Sequence, residues 1–213
     1  MNQPAEHPRP VCATCLRPQT ACICQWITPV ANMVDVLILQ HPQEVHAAKG
    51  SARLLHLSLQ RNRLAVGEAF DETELAALLH DGRGDVRRQP VLLYPDTPDR
   101  TQSPARRPVN EAVRDPSRIR LVILDATWRK SRRMLRMNPL LQSLPRLALD
   151  DVPASRYRIR KAHREGQLST LEAACHALMQ LEGEEGQYGA LLEAFDGFVM
   201  QQARWFLQEE GGD

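Results

Sequence analysis

Asp125 closes the apolar run Leu121-Val-Ile-Leu-Asp125, and Ala126-Thr127-Trp128 leads from it into the cations of Arg129-Lys130-Ser131-Arg132-Arg133. A carboxylate at the end of a buried strand can take a proton, and guanidinium groups beside it can hold an anion, so the stretch suits a reaction on a polyanion. Four β-forming residues in a row fit an interior strand, and ligands of open α/β sheets collect at the carboxyl ends of such strands. The same 13 residues also read as a helix start, with Asp125 or Thr127 as N-cap and a solvated basic face beyond. Features elsewhere in the chain decide between the two.

A second reactive set lies near the N-terminus, where Cys12-x-x-Cys15 is followed after six residues by Cys22-x-Cys24. Four thiolates within 13 residues, with turns at Pro10 and Pro18, can surround one tetrahedral ion. Zinc binds such four-cysteine sets in closed structural sites. A segment this short has no core of its own, so the ion would supply its folding energy. A pair of disulfides and an iron–sulfur cluster are the alternatives. Cys175, within Glu172-Ala-Ala-Cys175-His176, reads as a packed helix residue.

These groups need a scaffold. The chain of 213 residues is 43% hydrophobic and 25% charged, a balance that fits one substantial soluble domain with a small appendage. No apolar stretch approaches the ~18 to 20 residues that cross a bilayer, and the first ten residues are polar, so a cytoplasmic protein is expected. A net charge of +1 hides an asymmetry: residues 100–164 carry 17 Lys/Arg against 5 Asp/Glu, and residues 165–213 carry 1 against 10. Such a basic block is a nucleic-acid footprint unless the acidic C-terminal helices pack alongside it.

Periodicity predicts strands over 34–40, 63–66, 90–94, 120–125 and 146–149, and helices over 51–59, 72–80, 128–137, 169–183 and 187–209. Alternation of this kind implies a mostly parallel sheet with helices on its faces. Residues 97–108, rich in Pro, Ser, Thr and Arg, are expected to form an exposed loop. Neither G-x-G-x-x-G nor G-x-x-x-x-G-K-[ST] is present, so a glycine-cradled nucleotide site has no local support. Aromatic residues are few, which argues against a platform of stacked rings and for binding through phosphates.

Collinear with the cysteine set run Gln40-His41-Pro42-Gln43-Glu44, Leu93-Tyr94-Pro95, Leu124-Asp125-Ala126-Thr127-Trp128, Leu144-Pro145-Arg146, Ser155-Arg156-Tyr157-Arg158-Ile159-Arg160-Lys161 and Ser169-Thr170-Leu171-Glu172-Ala173. Together they make the chain resemble the DTW-domain family over nearly its whole length, closest in kind to the bacterial tRNA-uridine aminocarboxypropyltransferases. The name-giving motif has one residue between Asp125 and Thr127, a spacing the family permits.

The resemblance implies a SPOUT-like knotted α/β domain over 31–213, behind a four-cysteine zinc-binding module over 1–30. It implies transfer of the 3-amino-3-carboxypropyl group of S-adenosylmethionine to N3 of a uridine in tRNA, releasing 5′-methylthioadenosine, with the variable loop as the suggested site. A cofactor held by the backbone loops of a knot accounts for the missing glycine motif. Uridine N3 keeps its proton at neutral pH, so attack on the sulfonium-activated carbon needs a base, and Asp125 is the expected one. Leu124, Thr127, Trp128 and Pro95 are expected around the cofactor.

Its amino-acid end must be fixed, because orientation decides which carbon meets the nucleophile. Arg160 and the helix start at Ser169-Thr170 suit the carboxylate, although Ser169-x-x-Glu172 also fits a purely structural capping box. Ser155 and Tyr157 would line the base or the ribose, and packing alone also accounts for Tyr157. Arg129, Lys130, Arg132, Arg133, Arg136 and Lys161 are expected to hold tRNA phosphates. His41 suits a loop bond as well as a substrate contact, and Trp128 suits anchoring its helix to the sheet. No membrane or obligate protein partner is implied. The rival readings are a SPOUT-type RNA methyltransferase and a non-catalytic zinc-containing RNA-binding module.

Overall fold

The computed structural model describes residues 10–81, 88–95, 115–149, 155, 168–183 and 186–210, of which 205–210 by backbone alone. Five strands form one parallel sheet: β1 (Asp35–Gln40), β2 (Asn62–Val66), β3 (Gln89–Leu93), β4 (Ile119–Asp125) and β5 (Arg146–Leu147). Their spatial order is β2-β1-β4-β3-β5, so β4 lies at the centre with β1 and β3 on its flanks. Parallel neighbours need crossovers. Helices α1 (Ala52–Ser58) and α2 (Glu72–His80) lie in the first two, and α3 (Trp128–Met137) with the short α4 (Pro139–Gln142) links β4 to β5. Helices α5 (Thr170–Glu182) and α6 (Gly186–Glu210) follow.

Side chains alternate across the sheet and divide the core into two layers. Val36, Ile38, Leu121 and Ile123 face α1, α5 and α6, whereas Leu37, Leu39 and Val122 face Leu75 and Leu79 of α2 and Met134 and Leu135 of α3. Each such residue, fully buried, contributes on the order of 1.5 to 3 kcal/mol. Because α3 packs on the opposite face from α5 and α6, the acidic C-terminal helices do not cover its cations.

The amino ends of the central strands are locked by charge. Arg120 of β4 donates from Nε to Asp35 of β1 at 2.8 Å, and its Nη groups donate to the carbonyls of Leu78 and Asp81. Arg88 lies 3.5 Å from the other Asp35 oxygen. All three side chains are buried, and removal of one member of such a cluster costs about 3 to 5 kcal/mol. The charged residues therefore close the far end and leave the carboxyl edge for the site.

Local signals set the helix limits. Asp71 accepts from the amides of Thr73 and Glu74 to start α2. α5 begins with a complete capping box between Ser169 and Glu172 and stops at Gly183, whose φ of 70° lies in the left-handed region that glycine adopts without penalty. Pro139 cannot continue α3 and instead opens α4, an element with no forerunner in the periodicity. β5 ends at Leu147, short of the expected 149. The expected loop over 97–108 lies outside the described residues. Among the described residues, no helix is long and apolar enough to cross a membrane.

Candidate functional site

Parallel register brings Gln40, the last residue of β1, opposite Asp125, the last of β4. Gln40 Nε2 donates to Asp125 Oδ2 at 2.8 Å, and Thr170 Oγ1, in the first turn of α5, donates to Oδ1 at 2.7 Å. Asp125 is 6% exposed. A carboxylate offers about four acceptor directions, and these two neutral donors fix its plane. The Asp125 carbonyl accepts from the His41 amide at 3.0 Å, which draws the β1 end against the same point.

Ser169 and Thr170, expected at the cofactor carboxylate, are both engaged here. The Ser169 hydroxyl accepts from the Glu172 amide, and the Glu172 carboxylate accepts from the Ser169 amide at 2.7 Å and from Ser155 Oγ at 2.9 Å. Ser155 is thus tied to the start of α5. Tyr157, Arg160 and Lys161 lie outside the described residues. Leu124 is half-buried beside Asp125, and Pro95 is exposed just beyond β3. Thr127 occupies the N-cap position of α3 but makes no side-chain bond to the helix, so capping does not account for it.

Two of the few aromatic residues meet at this edge. Trp128 is 43% exposed and stacks on buried Tyr94 just beyond β3, with ring centroids 5.2 Å apart and planes 13° apart, so it does tie the start of α3 to the sheet edge. Arg146 lies 5.4 Å from the Tyr94 ring centre and Arg132 lies 6.0 Å from that of Trp128. The ends of β3 and β4 bring these two rings together, a long-range pairing that a count of rings does not reveal.

The cations of α3 fall into two groups. Arg132 turns toward Trp128, whereas Arg129, Lys130, Arg133 and Arg136 line a cavity of about 440 Å³. His41, Gln43 and Glu68, from the ends of β1 and β2, complete its lining. Lys130 pairs with Glu44 at 2.6 Å, and Arg133 Nε pairs with Glu68 at 3.1 Å. His41 Nδ1 accepts from the Gln43 amide and its Nε2 meets Glu68 Oε1 at 3.1 Å, so His41 does bond a loop while it lines the cavity. Sequence reasoning missed Glu68, which sits in Gly67-Glu68-Ala-Phe70 with no motif around it.

The four N-terminal cysteines converge, with every pair of sulfurs within 4.8 Å. Cys12 and Cys24 are 3.6 Å apart and Cys15 and Cys22 are 3.8 Å apart, too far for disulfides. Tetrahedral coordination at Zn–S ≈ 2.3 Å requires sulfurs about 3.8 Å apart, so the cluster fits one such ion. Backbone amides of Cys15 and Thr14 lower the Cys12 thiol to about 6, whereas burial raises Cys24 to about 12. Leu16 adopts a φ of 58° between the paired cysteines. Cys175 is fully buried in α5, as its helix setting implied.

This cluster is docked against α6. Trp26 and Gln25 donate to Gln201 Oε1, Gln201 Nε2 donates to the Cys22 carbonyl at 2.9 Å, and the Trp26 ring covers Gly197.

The sequence matches the DTW domain family over residues 9–203. It is 32% identical over 180 residues to a tRNA-uridine aminocarboxypropyltransferase 2 of Drosophila melanogaster, covering 80% of this chain and 66% of that one. A Mus musculus protein of the same name is 31% identical over 192 residues, covering 84% and 59%, and an Arabidopsis thaliana tRNA-uridine aminocarboxypropyltransferase A is 26% identical over 212 residues, covering 86% and 78%. The chain therefore spans about three fifths to two thirds of the length of the mouse and fly relatives it matches. No solved structure matches it.

Proposed function

The chain belongs to the DTW domain family, and from that premise we propose that it transfers the 3-amino-3-carboxypropyl group of S-adenosylmethionine to N3 of a uridine in tRNA, leaving 5′-methylthioadenosine. The observation that carries the reading is Asp125, a carboxylate oriented by Gln40 and Thr170 at the carboxyl end of the central strand, beside a helix of cations. In this reading Asp125 accepts the N3 proton as the uridine nitrogen attacks. Thr170 and Gln40 hold its oxygens in one orientation, so no reorganisation is needed at the moment of reaction.

S-adenosylmethionine, when bound, supplies an activated carbon on its sulfonium. The residues at this edge suit it: the Tyr94–Trp128 pair offers a flat apolar face for an adenine, and Thr127 is exposed nearby. Leu124, Pro95, Ser155, Ser169 and Thr170 frame the same edge, and Tyr157 and Arg160 are assigned to it by their place in the family motif. The SPOUT-like knot belongs to this proposal; α5 returning from beyond edge strand β5 to the end of central β4 supports it. The division into a zinc module over 1–30 and a catalytic domain over 31–213 is part of the same proposal. Zinc is the proposed occupant of the cysteine cluster, and free thiols at these spacings fit a reducing cytoplasm.

The co-product tests the chemistry against methyl transfer on the same cofactor. With unmodified tRNA and S-adenosylmethionine, mass spectrometry of the small molecules is expected to find 5′-methylthioadenosine. S-adenosylhomocysteine instead would replace this proposal with methylation.

A further inference from the structure

We propose that the cavity beside α3 seats the phosphate of one nucleotide of the RNA substrate next to Asp125, and that Glu68 is a positioning residue that aims Arg133 into it. The inference rests on the reading of the chain as a tRNA-modifying transferase and assigns a subsite within it.

Size and charge define the occupant. About 440 Å³ lies within the ~300 to 1,000 Å³ typical of small-ligand sites, which is room for a nucleotide and not for a duplex. Arg129, Arg133 and Arg136 recur at helical spacing along one side of α3. Lys130 is neutralised by Glu44, and among the described residues Arg129 and Arg136 have no ion-pair partner. A concave site with these groups at its surface is built for an anion.

Glu68 is the unexpected member, since a carboxylate among cations repels a phosphate. Its bonds explain its presence. Its Oε1 lies 3.1 Å from Arg133 Nε in an ion pair, which draws the guanidinium toward the cavity. His41 Nδ1 is an acceptor for the Gln43 amide, so the proton of the neutral ring sits on Nε2 and is donated to Glu68. The Glu68 backbone is fixed as well, because its carbonyl accepts from buried Asn138 Nδ2 at 2.9 Å at the end of α3.

The amide of the same His41 donates to the Asp125 carbonyl. Two hydrogen bonds and an ion pair thus connect the strand end that carries Asp125, through His41 and Glu68, to Arg133. The cavity therefore opens at the same carboxyl edge of the sheet as Asp125, on the α3 side.

The experiment measures binding of unmodified tRNA transcript by the full chain across a salt series, together with KM and kcat for transfer. Arg133→Ala and Arg136→Ala are each expected to reduce the slope of log K against log salt by about 0.7 to 0.9. They should also raise KM about tenfold with little change in kcat, as loss of a charge-assisted bond does. Arg204→Ala, on the opposite face, is expected to match the parent chain.

Glu68→Gln separates positioning from simple electrostatics, because removing a negative charge alone would tighten tRNA binding. We expect KM to rise severalfold instead. Equal or tighter binding by E68Q overturns the role of Glu68. Unchanged slopes in R133A and R136A, with transfer intact, overturn the seat alone. Arg136 is exposed, so its variant decides even if the others fold poorly. A parent protein that neither binds nor modifies tRNA overturns the underlying reading and the seat together.

Discussion

Asp125→Asn removes the charge at the end of β4 while keeping its shape. The amide oxygen can still accept from Gln40, now 2.8 Å from Oδ2, and the Thr170 hydroxyl can turn to accept from the new NH2, because a hydroxyl serves as donor or acceptor. Two charge-assisted bonds become neutral ones, from about 1.5 to 3 kcal/mol each to about 0.5 to 1.5, a loss of about 2 kcal/mol. At about 2 to 4 °C per kcal/mol for a chain of this size, Tm should fall by roughly 4 to 8 °C.

Asp125→Ala is harsher on folding. It leaves the buried Gln40 amide and the Thr170 hydroxyl without this acceptor, at about 1 to 3 kcal/mol each. The Asn variant is therefore the cleaner probe of chemistry. Loss of a general base is expected to slow single-turnover transfer to tRNA about 10² to 10⁴-fold. The variant's rate should also climb with pH, as solvent ionises uridine N3 without help, while the parent rate stays flatter. A folded Asn variant that transfers within about tenfold of the parent, with the same pH dependence, would falsify the base assignment.

Three further outcomes follow from the geometry. The purified chain should release one zinc ion on treatment with a thiol-blocking mercurial; Cys22→Ser should abolish that release and lower Tm, and because thiolates are the ligands, acidification should strip the ion while neutral pH retains it. Gly197→Ala in α6 should destabilise by about 1 to 3 kcal/mol, since a methyl there overlaps the Trp26 ring, whereas Gly189→Ala, facing open space in the same helix, should gain up to about 1 kcal/mol in thermal melts. Arg120→Met should cost about 3 to 5 kcal/mol in denaturant unfolding by stranding buried Asp35, and a loss below about 1 kcal/mol would show that Arg88 alone satisfies that carboxylate.

Much of the fold is legible in the sequence because its central strands, β1 and β4, are buried on both faces. β1 and β4 announce themselves as unbroken apolar runs, and the acidic or polar residue ending each marks the edge where ligands gather. α3 matches the expected 128–137 because Pro139 stops it, and the Ser169–Glu172 box starts α5 one residue inside the expected helix. What stays hidden depends on pairing across the sheet. Nothing local joins Gln40 to Asp125, Tyr94 to Trp128 or Glu68 to Arg133. The left-handed Leu16 is equally silent, since that conformation ordinarily calls for glycine and the convergence of four cysteines imposes it here. The cations of α3 are visible as a group, but their division between the Trp128 ring and the Glu68 cavity depends on which neighbours the fold supplies.

The central claim is a transfer to uridine, and it is tested most directly by incubating unmodified tRNA with the full chain and S-adenosylmethionine, digesting the RNA and weighing its nucleosides. The account predicts a uridine heavier by one 3-amino-3-carboxypropyl group, formed by the parent chain and strongly reduced in the Asp125→Asn variant. A methylated nucleoside, or no modified nucleoside while the tRNA is bound, would contradict it.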